Sequence, residues 1–443
     1  MIITYRNSII SAKKIAHQGS ELNQFYYGVE RLRAVSDPTF TTVIGNASDH
    51  LKLPAHQLIR PCSVNASRQV VKFLNPVDWT KNIDGTDSLL DGTDGNDIML
   101  YNPGLYAIFG GADPTYEYWI IGSHPFQYRG DDAIYIPAFV DCPDFATLAG
   151  GVTRSVRNET AGYAGSGNRY TAGGLGYPLT SISRYDYEVY ATAKGAGWQN
   201  LHYYDKMYDM CMMYIEFKTK NLKLHFGHGA SNWSTAHWNG YNSANPVLKI
   251  FEAQLGLSAD PAIVAKGNMS GVFSKSFEFE VGGSPVTYTT EFPVWRGKSR
   301  LWGNLWQWYS GIEEEVQSSG DGGKTTVYYQ PDPSLHDTNR SDASFAFKDS
   351  YINAGETIRS SAWIKGILPG TGIGKETGGS ETLHECSYNR HTIPASGTSR
   401  RGARFGTNLL RGGFGSLSSA NVGYAPSVAS SGVGGGFRAN VAG

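Results

Sequence analysis

Three histidines, His225, His228 and His237, fall within 13 residues. A tetrahedral metal site would need a fourth ligand at a fixed spacing, and none is supplied nearby. The run from Leu224 to Gly229 reads as a strand entering a glycine loop, with its histidines at the surface or hydrogen-bonded. Glu313, Glu314 and Glu315 could supply the paired carboxylates of glycan hydrolysis, but three adjacent acids are expected on one exposed, solvated turn. Residues 92–100 approach the calcium nonapeptide, yet that motif works as stacked copies and one copy is present. A tight acidic turn before a strand is the stronger reading. No G-x-S-x-G nucleophile elbow or G-x-x-x-x-G-K-[ST] phosphate loop occurs. Cys62, Cys142, Cys211 and Cys386 form no C-x-x-C pair and read as four buried, unpaired thiols. No catalytic residue, metal ligand or cofactor is assigned.

Trp302, Trp306 and Trp308 stand within seven residues, with Gly303 and Asn304 between them. Trp302 and Trp306 are expected in the core of a strand that frames variable loops. The whole chain shares this bias. Of 443 residues, 54 are Gly, 27 Tyr, 19 Phe and 10 Trp, while only 17% are charged. Such a composition suits a loop-rich folded chain and excludes a disordered one. With 38 basic and 39 acidic residues, the chain does not neutralise a row of phosphates, so nucleic acid is an unsuitable partner. A net charge of −1 fits a subunit of an assembly. No signal peptide or apolar run long enough to span a membrane is expected.

The elements that must position these residues are legible by periodicity. Strands are expected at 98–101, 116–121, 133–136 and 325–329. Residues 276–281 and 286–291 alternate across Gly282, Gly283 and Ser284, a hairpin signature. Helices are expected over 182–194 and 200–218. In the second, Leu201, Tyr204, Met207, Tyr208, Cys211, Met212 and Ile215 repeat at helical spacing. Its methionines read as core filling. Residues 1–80, poorer in glycine, read as a separate N-terminal attachment segment. Residues 81–443 then form one α+β domain, with a β-hairpin insertion near 259–293.

The stretch Trp295, Arg296, Gly297, Lys298, Arg300, Trp302, Gly303, Asn304, Trp306, Trp308, Gly311, Ile312 resembles the R-G-x-x-x-x-W-G-N-x-W-x-W-x-x-G-I core of C-type-lectin-fold proteins. The similar branch is that of bacteriophage tail and fibre proteins and the variable proteins of diversity-generating retroelements. Residues 91–103 resemble that family's opening strand, His124 to Phe126 and Pro137 to Phe139 its H-P-A-F region, 183–198 and 214–217 its two-helix segment, and 410–415 and 436–438 its closing strands. The resemblance spans roughly residues 84 to 443.

The resemblance implies a C-type-lectin-like domain, two helices packed on antiparallel sheets and rich in loops. It implies a binding protein of the virion, not an enzyme: a fibre or tail-tip adhesin whose C-terminal loops contact a host cell-surface glycan or protein. The contact residues it suggests are Tyr388, Asn389, Arg390, Ser416, Ser418, Ser419, Asn421, Tyr424 and Ser427. The N-terminal segment would join other virion proteins, and a homo-oligomer, trimeric in many such fibres, is expected. The alternative is a purely structural head-fibre or tail-decoration protein. Oxidases of the same fold use a cysteine pair and a metal, whereas the C-terminal part here holds only Cys386.

Overall fold

The computed structural model describes residues 26–45, 53–156, 179, 182–229, 270–281, 284–303, 305–337, 339, 341–406, 419–429 and 433–442. The described residues form a β-rich fold with four α-helices. The longest helix, Tyr203–Phe217, is the piece around which the rest is arranged. It starts where the periodicity predicts, and its start is chemically marked. The His202 ring nitrogen accepts from Tyr204 N at 3.3 Å, and the Asp205 carboxylate accepts from His202 N at 2.8 Å, a reciprocal capping box. It ends at Lys218, in the left-handed region with φ 56°. The Arg184–Thr192 helix is capped by Ser183, whose hydroxyl accepts from Asp186 N.

Three sheets surround the long helix. In the first, the order is Ile134–Ile136, Leu105–Phe109, Tyr116–Gly122, Tyr26–Leu32, Thr42–Ile44. In the second it is Trp198–Asn200, Phe437–Asn440, Phe139–Asp141, Asp97–Asn102, Arg60–Val64, Val70–Phe73. The C-terminal strand therefore returns beside strands from the first third of the chain. The third sheet runs Ile352–Glu356, Thr325–Tyr329, Trp306–Gln317, Thr398–Phe405, Ala420–Tyr424, Tyr388–Arg390, Ala362–Ile367, Gly374–Thr377. Ile358 N donates to Gly374 O, and the Thr357 hydroxyl bonds the same carbonyl, so the two edges of this sheet curl back together. The Gly271–Val281 and Ser284–Val294 strands form the expected hairpin, with Val281 opposite Ser284.

One apolar core joins the long helix to all three sheets, with Phe139 reaching it from the second. Trp119 meets Tyr214 at 5.0 Å between ring centres, and Phe139 meets Tyr208 at 5.3 Å. The methionines Met207, Met210, Met212 and Met213 are buried, as are Trp302, Trp306 and Trp308. The four cysteines are free and buried.

The same helix carries acids into this core, and each is met by a cation. Asp205 pairs with Arg438 at 3.0 Å, Asp209 with Lys298 at 2.5 Å, and Glu216 with Arg296 at 3.0 Å. Lys298 also reaches Asp141 at 3.0 Å, and Arg300 bonds the same carboxylate. Asn102 donates to Asp141 at 2.7 Å.

Three expectations are corrected. The boundary near residue 80 is no boundary in the fold. Tyr26–Leu32 pairs along its whole length with Tyr116–Gly122, and Arg60–Val64 with Asp97–Asn102, because these apolar strands need partners to satisfy their backbone groups. The part of the expected attachment segment at 1–25 lies outside the described residues. The strand expected at Leu224 is instead the short helix Lys223–Phe226. Phe226 N bonds Leu222 O, and the Phe226 ring is held against Phe217 and Trp302. The third correction concerns Glu313 to Glu315, which sit within the Trp306–Gln317 strand and not on a turn.

Removing one partner from a buried ion network strands the others without compensation. Asp141→Ala, which leaves Arg300 with no carboxylate and Lys298 with Asp209 alone, is expected to lower stability by about 3–5 kcal/mol. Urea unfolding of the full chain measures it. A loss under about 1 kcal/mol, the range of exposed pairs, would show that the network carries no structural weight.

Candidate functional site

The C-terminal strands bring most of the suggested contact residues together. Tyr388–Arg390 lies parallel to Ala420–Tyr424, with Asn389 opposite Ala420 and Arg390 opposite Asn421. Ala420–Tyr424 pairs in turn with Thr398–Phe405, which pairs with the tryptophan strand Trp306–Gln317. Residues about 30 apart in sequence thus share one patch.

Packing fixes the aromatic members. The Arg404 guanidinium lies 3.7 Å from the centre of the Tyr424 ring and 4.9 Å from that of Trp308. A buried cation between two rings holds Tyr424 in one orientation. Tyr388 meets Trp363 edge-on at 5.6 Å. At the margin, Ser427 is anchored to the Asp342 carboxylate through both its hydroxyl and its N–H.

The patch is smaller than the sequence suggests. Asn389, Ser419 and Asn421 are fully buried. The Ser419 hydroxyl accepts from Tyr388 N at 3.2 Å, and Asn421 Oδ1 accepts from Gly423 N at 3.1 Å. The Ser419 and Asn421 side chains brace the strands, and all three residues are too buried to meet a partner. Ser416 and Ser418 lie outside the described residues. Tyr388, Arg390 and Tyr424 are half-buried and Ser427 is exposed. They offer ring faces, a guanidinium suited to carboxylate or phosphate groups and a hydroxyl, a mixture suited to recognition.

The other candidates resolve differently. His225 lies against Phe217 at 4.7 Å, and His228 meets Glu381 at 3.1 Å. His237 lies outside the described residues. Among the described residues no group of three or more His, Cys, Asp or Glu could hold a metal ion. Asp91 and Asp94 bond Thr93 and Asn96 two residues on, as acidic turns do.

Glu313 and Glu314 are both fully buried and, as neighbours on a strand, point to opposite faces. They therefore do not share a cleft. Burial pushes the Glu313 carboxyl up, but Arg184 at 2.6 Å and Arg400 at 2.9 Å outweigh it and hold it below the ordinary glutamate range. Glu315 pairs with Lys348. Glu314 is different. Neither of its oxygens has a hydrogen-bond partner. Its register neighbours are Val327 and Arg401, and His391 Nδ1 stands 3.8 Å away. Burial pushes the Glu314 carboxyl well above its usual range, against the pull of Arg401. Burial also pulls His391 down to about 4. Each shift favours the uncharged form of its group.

Sequence reasoning missed this pair and the ionic core. The available signals were the alternation Arg296, Lys298, Arg300 between two tryptophans, and the acids Asp205, Asp209 and Glu216 at helical spacing within a methionine-rich helix.

A carboxyl whose folded value is raised favours the fold fully below its unfolded value, 4.5, and loses that advantage as pH rises. Glu314→Gln should therefore match the parent near pH 4 and become progressively more stable than it above pH 5, by up to about 1.4 kcal/mol per pH unit. His391 acts on the other side: its contribution is present above 6.5 and lost as pH falls toward about 4. Chemical unfolding between pH 4 and 8 measures both. A Glu314→Gln difference that does not change with pH would refute the raised carboxyl.

No protein-family model matches the chain, and no curated protein matches it.

Proposed function

We propose that the chain is a bacteriophage virion protein of C-type-lectin type, a fibre or tail-tip adhesin that binds a host cell-surface glycan or protein. The observation that carries this reading is the stack of Trp308, Arg404 and Tyr424. It ties a half-buried contact residue to the tryptophan strand, so the patch is held rigid before any partner arrives. Preorganised aromatic area binds at low entropic cost. The resemblance of residues 295–312 supplies the family, and the return of Phe437–Asn440 beside Phe139–Asp141 agrees with a unit whose two ends meet. The binding set on this reading is Tyr388, Arg390, Tyr424 and Ser427. The protein acts as a homo-oligomer within the virion. No helix among the described residues is long and apolar enough to cross a membrane.

One observation favours the second reading, a purely structural virion component. Three of the nine suggested contact residues are consumed in packing, which shrinks the polar area left for a receptor.

The two readings separate in a cell-binding assay with purified protein. The combined change Tyr388→Ala, Arg390→Ala and Tyr424→Ala is expected to weaken adsorption about tenfold or more, as loss of anchor residues does. Its melting curve checks that it is folded. Folded variant protein that adsorbs like the parent removes this patch, and parent protein that does not bind host cells at all leaves the structural reading.

A further inference from the structure

The end of the long helix meets a second buried ionic cluster, drawn from four distant parts of the chain. Arg31 lies on the Tyr26–Leu32 strand, Glu117 on Tyr116–Gly122, Lys220 just beyond the helix, and Glu385 ahead of Tyr388–Arg390. All four are buried. Lys220 Nζ contacts Glu117 Oε1 and Glu385 Oε2 together. The two carboxylates are held unequally. Glu117 accepts from Trp119 Nε1 at 2.8 Å and from Arg31 Nε at 3.0 Å, besides Lys220. Glu385 has Lys220 on one oxygen and Arg31 at 3.5 Å on the other. The residues flanking Glu385, His384 and Cys386, both take left-handed backbone conformations, φ 60° and 50°, a local cost that sets the carboxyl against the lysine.

We propose that Lys220 and Glu385 condense into an intramolecular amide, joining Nζ to Cδ with loss of one water. The required groups are in place. The ammonium proton passes along the existing contact to Glu385 Oε2, giving a free amine and a neutral acid. Burial raises the Glu385 carboxyl and favours this neutral form against the pull of Lys220. Nζ then attacks Cδ. Arg31 faces Glu385 Oε1, where negative charge develops in the tetrahedral intermediate. Glu117, hydrogen-bonded to the same Nζ, takes the proton that the attacking nitrogen must lose. It delivers that proton to the hydroxyl at Oε2, which leaves as water. An ammonium and a carboxylate become an amide and water, so no oxidant, reductant or activated co-reactant is needed.

Charge is balanced before and after. Two cations and two anions become one Arg31–Glu117 pair and a neutral amide, which relieves part of the desolvation cost of two buried pairs. The Lys298 cluster is the internal contrast. There Lys298 also lies between two carboxylates, but Arg300 bonds the same Asp141 oxygen as Lys298, the neutral Asn102 amide takes the other, and among the described residues no arginine pairs with Asp209. That cluster is expected to stay ionic.

The test is mass spectrometry of the full chain, denatured after purification. The parent should weigh about 18 Da less than its sequence, and proteolysis should yield one branched species joining the Lys220 and Glu385 peptides. Glu117→Gln keeps both reacting groups and should restore the full mass, or slow the loss enough to follow over hours. Lys220→Arg should abolish it. A parent at full sequence mass overturns the proposal whether or not the variants fold. A lost water mapped to Lys298 overturns the assignment to this cluster.

Discussion

A buried helix that carries acids forces the rest of this structure to answer it. Asp205, Asp209 and Glu216 cannot sit in an apolar core as bare carboxylates, and each is taken by a cation from a segment far away in sequence. Arg296, Lys298 and Arg300 precede the tryptophan strand, and Arg438 lies on the last strand. The ion pairs thus fix where the chain's closing strand and its central motif must lie. Apolar contacts drive collapse without specifying partners, whereas these pairs have one arrangement that leaves no charge stranded.

From that anchor the tryptophan strand becomes the spine of the third sheet. It pairs on one side with Thr325–Tyr329 and on the other with Thr398–Phe405, and Trp308 reaches the contact patch through Arg404. The chain from ionic core to surface is short: Arg300, then the strand, then Tyr424. Rigidity at the patch is inherited from burial at the helix and does not depend on the loops themselves.

Much of the fold was legible from spacing and from short apolar runs. The two longer helices show helical spacing, the Gly271–Val281 and Ser284–Val294 hairpin alternates, and the strands at Asp97–Asn102, Tyr116–Gly122 and Thr325–Tyr329 contain short runs of apolar and aromatic residues. The N-terminal strands were hidden because they carry no such signal, and their low glycine content set them apart from the rest of the chain. Lys223–Phe226 was misjudged because four residues carry too little periodicity to separate a helix turn from a strand. The contact site was legible as a neighbourhood but not as a surface. Asn389, Ser419 and Asn421 are polar by type, yet their strands place them inside. Side-chain polarity in one dimension cannot tell a group that meets solvent from one that satisfies the backbone beside it.

Glu313, Glu314 and Glu315 show how far that ambiguity reaches. Three identical residues in a row invite a single reading, and the strand gives them three environments. Glu313 is neutralised by two arginines and Glu315 by a lysine, while burial drives Glu314 toward its protonated form. The difference is set by what each neighbouring strand and helix supplies at that register: Arg400 and Arg184 on one face, Val327 and a histidine on the other. At these three positions a carboxylate therefore costs the fold little where a cation is built opposite it, and is pushed toward its neutral form where none is close enough to pair.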